Sequence, residues 1–274
     1  MQPSELESPL IIIGEKINGT LAHVRDAVLE RDGDHLASLA LMQETAGADY
    51  IDVNVATGVC DEVEAMVWAV GVVRAATSLP LCLDSSEAEV LEAGLEICGA
   101  DRPFINSVSG GASKMGPVLA LAAEHSCPLV ALPMDEAGIP SSPAARLDIC
   151  HRIRSAAQTA GVGAEDLYFD PLVLPLSADS TQGRVTIETL AAIKEEMEGC
   201  RTVMGASNAS FGLPARSLVN VSLMTVAVFF GLDAGILDPS DSRLRAALYA
   251  AGAVAGGDRF CKDYMKAYRA GLLE

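Results

Sequence analysis

Four short apolar runs in this chain end on an Asp or an Asn: Leu81-Cys82-Leu83-Asp84, Phe104-Ile105-Asn106, Tyr168-Phe169-Asp170 and Gly205-Ala206-Ser207-Asn208. A carboxylate can accept two parallel N–H bonds from an amino-pyrimidinone edge, the strong bidentate geometry. An Asn offers a donor and an acceptor together, so it complements a ring nitrogen and its neighbour. Gathered on one side, two Asp and two Asn suit a flat polar heterocycle of the pterin or purine kind. Each neutral hydrogen bond would contribute about 1 kcal/mol net, more if charged. Any one of the four alone reads more plainly as a helix cap or turn residue, and Asp84-Ser85-Ser86-Glu87 has the form of a capping sequence. Their recurrence at equivalent places weighs against that. Glu15, Asn18, Asp52 and Asn54 add polar groups, with pairing to Lys16 or turn capping as the alternative for Glu15 and Asp52. The histidines, His23, His35, His125 and His151, all fall in predicted helices or at their ends, which argues against a His-based metal site.

These residues need elements that bring them together. Apolar runs alternate with helical patterns almost without a break. Strands are expected at 10–17, 50–55, 81–84, 103–108, 128–134, 167–172, 202–206 and 235–237. Helices are expected over 20–46, broken near Asp32-Gly33-Asp34, and at 61–77, 87–98, 117–124, 142–160, 186–197, 218–230 and 240–255, with a last amphipathic segment at 258–272. Eight such units in about 250 residues is the size of a closed (β/α)8 TIM barrel. The near-continuous apolar strands suit a parallel sheet covered on both faces. A doubly wound open sheet is the alternative, but its Gly-rich turn would stand at Gly14-Glu15-Lys16-Ile17-Asn18-Gly19, which is not G-x-G-x-x-G. No linker or low-complexity segment divides residues 1–274, which read as a single α/β barrel domain. In such a barrel the carboxyl ends of the strands share one mouth, so Asp84, Asn106, Asp170 and Asn208 close strands three, four, six and seven around it.

Composition narrows the partners. The formal charge of −18 excludes a basic nucleic-acid face and points to solubility, or to steering of a partner with basic patches. The seven cysteines are scattered and contain no C-x-x-C, which excludes a disulfide framework and a structural zinc site and suits a reducing cytoplasm. Met1 to Pro9 has no apolar core of a signal peptide. The longest apolar stretch, Leu213 to Leu232, is interrupted by Arg216 and Asn220 and reads as a buried helix, not a membrane span.

Seven segments together carry a family resemblance: Ile12-Ile13-Gly14-Glu15-Lys16-Ile17-Asn18-Gly19, Asp52-Val53-Asn54-Val55, Leu81-Cys82-Leu83-Asp84-Ser85, Ile105-Asn106-Ser107, Gly138-Ile139-Pro140, Tyr168-Phe169-Asp170-Pro171-Leu172, and Gly205-Ala206-Ser207-Asn208-Ala209-Ser210 followed by Arg216. Over nearly its whole length the chain resembles the pterin-binding methyltransferases, specifically the methyltetrahydrofolate:corrinoid-protein methyltransferases. The resemblance implies a pterin-binding TIM barrel, usually a homodimer, that takes methyltetrahydrofolate in its mouth and exchanges the methyl group with the cobalt of a corrinoid. It implies that Asp84, Asn106 and Asp170 hold the pterin, and that Asn208 lies beside N5 with Ser207 and Gly205 lining the same loop. Arg216 would stand toward the outer folate or the loop, and Asp52 and Asn18 near the ring. No Asp-x-His-x-x-Gly pattern of a B12-binding domain is present, so a separate corrinoid protein would supply the cobalamin, and this chain would bind no metal itself. Dihydropteroate synthases are a related alternative, but that family's Lys in the seventh-strand loop and its Arg-x-His ending are missing here. A non-catalytic folate-binding protein would keep Asp84, Asn106 and Asp170 without needing Asn208.

Overall fold

Eight aliphatic runs form eight parallel strands that pair in chain order and close, β8 on β1, into a barrel. The computed structural model describes residue 8 and residues 10–273; apart from Ser8, the stretch read above as lacking a signal peptide lies outside them. The strands are β1 (Ile11–Asn18), β2 (Tyr50–Asn54), β3 (Leu81–Asp84), β4 (Phe104–Ser109), β5 (Leu129–Leu132), β6 (Leu167–Phe169), β7 (Arg201–Gly205) and β8 (Ala234–Leu237). The helices are α1 (Ala22–Glu30), α2 (Gly33–Thr45), α3 (Glu62–Ala76), α4 (Ala88–Cys98), α5 (Ala112–His125), α6 (Pro143–Ala160), α7 (Gln182–Glu196), α8 (Arg216–Phe229), α9 (Ser242–Val254) and α10 (Lys262–Arg269). Among the described residues no helix is long and apolar enough to cross a membrane.

The two-residue period of a strand sorts the core into two parts. Outward residues such as Ile12, Ile51, Val53, Leu81, Leu83, Ile105 and Met204 join the helices in a large aliphatic cluster. Inward residues form a second cluster of Ile13, Cys82, Phe104, Val130, Tyr168, Val203 and Ala234, joined by Tyr50. Tyr50, Phe104 and Tyr168 meet edge to face, with ring centres 4.8 and 4.7 Å apart, and Arg201 Nη1 donates to the Tyr168 hydroxyl at 2.6 Å. This aromatic group plugs the barrel at the amino ends of the strands, so the carboxyl ends alone are left for a site.

Two irregularities aim side chains. In β1, Gly14 pairs with Ile51 and Ile17 with Val53, so Glu15 and Lys16 together oppose one residue, Asp52. Gln43 of α2 fills this bulge: its Oε1 accepts from the Lys16 N–H at 2.9 Å, and a Cβ at residue 14 would lie 2.4 Å from that oxygen, so a larger residue there would displace the Gln43 amide from the bulge. In β4 the register shifts between Asn106 and Val108. Helix starts differ from expectation where caps come from elsewhere. α5 begins at Ala112 and not near Pro117, because Glu136 Oε1 of another loop accepts from the Ala112 N–H at 2.7 Å. α7 begins at Gln182, four residues before the expected start. β6 and β7 end at Phe169 and Gly205, so Asp170 lies one residue past its strand and Asn208 closes the short turn Ala206–Asn208.

Candidate active site

One inward step above the apolar plug, the barrel interior becomes a layer of carboxylates and amides. Register sets Asn54 beside Asp84 and Asp84 beside Asn106 on three adjacent strands. Asn54 Nδ2 donates to Asp84 Oδ2 at 2.9 Å. Asp52 lies one step below Asn54, buried, with Asn106 Nδ2 3.5 Å from its Oδ1. Asp170 enters from across the barrel, its Oδ1 accepting from the Leu172 N–H at 2.8 Å. The other oxygen is left for the mouth. Asp84 is therefore no helix cap: the residue before α4 is Glu87, which makes no side-chain capping bond. Asp170 does both jobs, turn and mouth.

The loop after β7 forms the facing lip. Ser207 Oγ donates to Glu15 Oε1, tying this turn to the β1 bulge. Arg216 donates to the Ser207 carbonyl at 2.8 Å and to Ser210 Oγ at 3.0 Å. It therefore braces the loop from behind. Asn208 is exposed, and its amide lies 3.2 Å from where a Cβ on Gly205 would stand, so glycine at 205 gives that amide its room. Asn18 Oδ1 holds its own turn, accepting from Thr20 N and Oγ1 at 3.0 and 2.6 Å. Lys16 pairs with Asp238 at 2.5 Å, not with Glu15 or Asp52, because the bulge turns it toward β8. Among the residues proposed from sequence, the fold thus gathers Asp52, Asp84, Asn106, Asp170, Gly205, Ser207 and Asn208 around one opening, with Asn18 and Arg216 in supporting positions.

Burial governs the charges here. It pushes the Asp84 carboxyl up to about 6, against the lowering effect of the Asn54 hydrogen bond. It pushes Asp170 up to about 7, opposed by the Leu172 N–H and by the charge of Arg146. Asp52 is raised well above the carboxylate range by burial and then by the neighbouring Asp84. Of that pair Asp84 ionises first, because two adjacent anions in one dry site are unfavourable. Glu15 is raised by burial despite its bond from Ser207. Cys82 is raised well above the thiol range by burial, which makes it an inert core residue. Among the described residues no three His, Cys, Asp or Glu side chains are placed to share a metal ion.

Sequence reasoning passed over Arg146 and gave Asn54 and Glu15 too little weight. Gln43 and Arg146 each interrupt the apolar stripe of a helix, Leu36, Ala40, Gln43 on α2 and Arg146, Ile149, Cys150, Ile153 on α6. A polar residue on a buried stripe was the available signal for both.

A closed parallel barrel with an acceptor-and-amide layer at its carboxyl end defines a class, the pterin-binding barrel enzymes. Residues 14–238 match the family model described as pterin binding enzyme. The chain is 36% identical to the methylcorrinoid:tetrahydrofolate methyltransferase of Eubacterium limosum, over 96% of this chain and 98% of that protein. It is 30% identical to the methionine synthase of Mycobacterium tuberculosis (strain ATCC 25618 / H37Rv) over 87% of this chain, but only 21% of that much longer protein. Two dihydropteroate synthase structures share the fold. That of Xanthomonas albilineans, in complex with indole-2-carboxylic acid and 6-chloroguanine, has TM-score 0.67 at 19% identity, covering 91% of this chain and 92% of that one. That of Coxiella burnetii, in complex with pteroic acid, has TM-score 0.68 at 13% identity, covering 92% and 95%. The chain belongs to the pterin binding enzymes and, within them, to the family of the methyltetrahydrofolate:corrinoid-protein methyltransferases.

Proposed function

We propose that this methyltransferase moves a methyl group between N5 of tetrahydrofolate and the cobalt of a separate corrinoid protein. The observation that carries this reading is the level of Asn54, Asp84 and Asn106 faced by Asp170 and closed below by the aromatic plug, with an exposed amide at Asn208 on the lip. Asp84, Asn106 and Asp170 grip the polar edge of the pterin. Asp52 supports Asn106 from beneath. Gly205 and Ser207 shape the lip, Arg216 braces it, and Asn18 holds the turn after β1. The name of the Eubacterium relative supports the substrate pair.

In the donor direction the carbon–N5 bond breaks and a cobalt–carbon bond forms. Cobalt(I) supplies the two electrons of the new bond, the old bond pair stays on N5, and N5 takes a proton. Without that proton N5 is a very poor leaving group, so a donor at N5 is stronger in the transition state than in the ground state. The Asn208 amide is a hydrogen-bond donor and does not ionise near neutral pH; it steadies charge developing at N5 or holds the protonated nitrogen. Removing one such donor typically costs about 2.7–4 kcal/mol, roughly 100- to 1000-fold in rate.

The same reading takes residues 1–274 as one pterin-binding domain working in the cytoplasm as a homodimer. The apolar groove of about 750 Å3 between α7 and α8, bordered by Ile187, Leu218, Leu223 and Val226, suits a second copy. Sedimentation at the mass of one chain would remove the dimer from the account. The experiment for the activity is single-turnover transfer from methyltetrahydrofolate to cob(I)alamin, followed by the loss of the cobalt(I) absorbance. Transfer supports the reading. Tight folate binding with no transfer would make the chain a folate-binding protein instead.

A further inference from the structure

We propose that Arg146 is a positioning residue of this site: it locks the two loops that follow β5 and β6 and keeps a fixed positive charge behind Asp170. The inference rests on the pterin reading only where ligand binding is used as a readout.

Arg146 is fully buried on the inner stripe of α6. Its Nε donates to the Pro140 carbonyl at 2.9 Å, in the loop after β5. Its Nη1 donates to the Pro171 and Leu172 carbonyls at 2.7 and 2.8 Å, in the loop after β6. Its Nη2 donates to Gln182 Oε1 at 3.3 Å on α7. The fork geometry of a guanidinium lets one side chain hold three elements at once. All of these acceptors are uncharged oxygens. A buried cation with only neutral acceptors is costly unless an anion lies nearby. The anion whose charge acts on Arg146 is Asp170, whose carboxylate accepts from the N–H of Leu172 while Arg146 holds the carbonyl of that same residue. Leu172 has a φ of 63°, a left-handed conformation that a leucine keeps only when its surroundings fix it. Thr186 Oγ1 donates to the same carbonyl at 3.1 Å. The loop is therefore clamped at the residue that orients the Asp170 carboxylate.

The charged groups around Asp170 are few. Arg146 stands behind it on α6, and its charge favours the carboxylate while burial opposes it. On the α7 side Gln182 Nε2 donates to Asp179 Oδ2 at 2.8 Å, which leaves Asp179 one residue removed from the guanidinium. Asp84 and Asp52 lie on β3 and β2, across the barrel. Burial pushes Asp170 up to about 7, and the charge of Arg146, together with the Leu172 N–H, works against that rise, so removing the charge shifts the group toward its protonated form near neutral pH. Loosening the loop alone would also raise that titration, by releasing the Leu172 N–H from the carboxylate, so the charge is isolated by comparing the neutralising variants with Arg146→Lys, which loosens the loop but keeps the cation.

The test is the titration of the Asp170 carboxyl, read by 13C NMR on the unliganded protein with Asp170→Asn to assign the signal, beside the affinity for methyltetrahydrofolate across the same pH range. Arg146→Gln removes the charge. Gln182→Glu neutralises it with side chains of unchanged length, and serves if the first variant does not fold. Each should raise the Asp170 midpoint by roughly one unit or more, the size expected on losing a close opposite charge, and should weaken methyltetrahydrofolate binding about tenfold near neutral pH. Arg146→Lys, which keeps the charge but not the fork, should raise the midpoint by less than the neutralising variants do and loosen binding at every pH. A midpoint that stays in place in both neutralising variants, or that rises as far in Arg146→Lys as in them, would overturn the proposal, whatever the affinity does. A wild-type chain that binds no methyltetrahydrofolate would count against the proposed function, and the carboxyl titration would still decide the role of Arg146.

Discussion

The floor and the mouth of this barrel are built from the same strands yet do opposite work. On β2, β3, β4 and β6 the inward side chains run from Tyr50 to Asn54, Cys82 to Asp84, Phe104 to Asn106 and Tyr168 to Asp170. Each of the last three pairs is two residues, or roughly 6.6 Å of strand. Below, the aromatic edges and the Arg201 bond close the interior. Above, burial lifts the carboxyls to about 6 at Asp84 and about 7 at Asp170. The floor stabilises the fold, and the mouth is held in a state that costs stability.

The floor should break most visibly. Phe104→Ala removes a buried ring and should destabilise the protein by about 3–5 kcal/mol, while the folded fraction binds methyltetrahydrofolate within a few-fold of wild type. A binding loss as large as the stability loss, measured by denaturation and calorimetry, would erase the distinction between floor and mouth.

At the mouth the sign reverses. The folded-state pKa of Asp170 lies above its ordinary value, so between pH 4 and 7 the folded state binds more protons than the unfolded one. Stability from this group is then lost as pH rises through about 7. Asp170→Asn should therefore be more stable than wild type at pH 8, by up to roughly 4 kcal/mol at about 1.4 kcal/mol per unit, and little changed at pH 4.5. Thermal melts at the two pH values check this, and equal effects at both would contradict the burial account.

Asp84→Asn should weaken methyltetrahydrofolate binding by about 1.5–3 kcal/mol, the worth of a charged hydrogen bond, without loss of stability. The smallest effect belongs to the floor again. Tyr168→Phe deletes only the bond from Arg201 and should cost about 1 kcal/mol of stability, with methyl transfer unchanged.

This contrast also divides what could be read from sequence. Strand ends were legible because an apolar run followed by Asp or Asn marks both the strand and its exit, and parity then places Asp84 and Asn106 at one level. The barrel followed from eight such units. The β1 bulge was not legible, since its extra residue leaves no trace in an apolar–polar pattern, and so the separate partners of Glu15 and Lys16 went unseen. Arg146 was hidden for a different reason: an Arg within a helix reads as a solvent-facing residue until its place on the buried stripe is counted. Asn18 Oδ1 also holds the turn after β1, which the neighbouring Gly19-Thr20 could have suggested.

The central claim is that the mouth binds the pterin while Asn208 acts on the breaking bond. Single-turnover methyl transfer by Asn208→Ala, measured beside its dissociation constant for methyltetrahydrofolate, tests it most directly. The expected result is a rate lower by roughly 100- to 1000-fold with affinity within a few-fold of wild type. An affinity that falls while the rate constant at saturating folate stays at the wild-type value would contradict it.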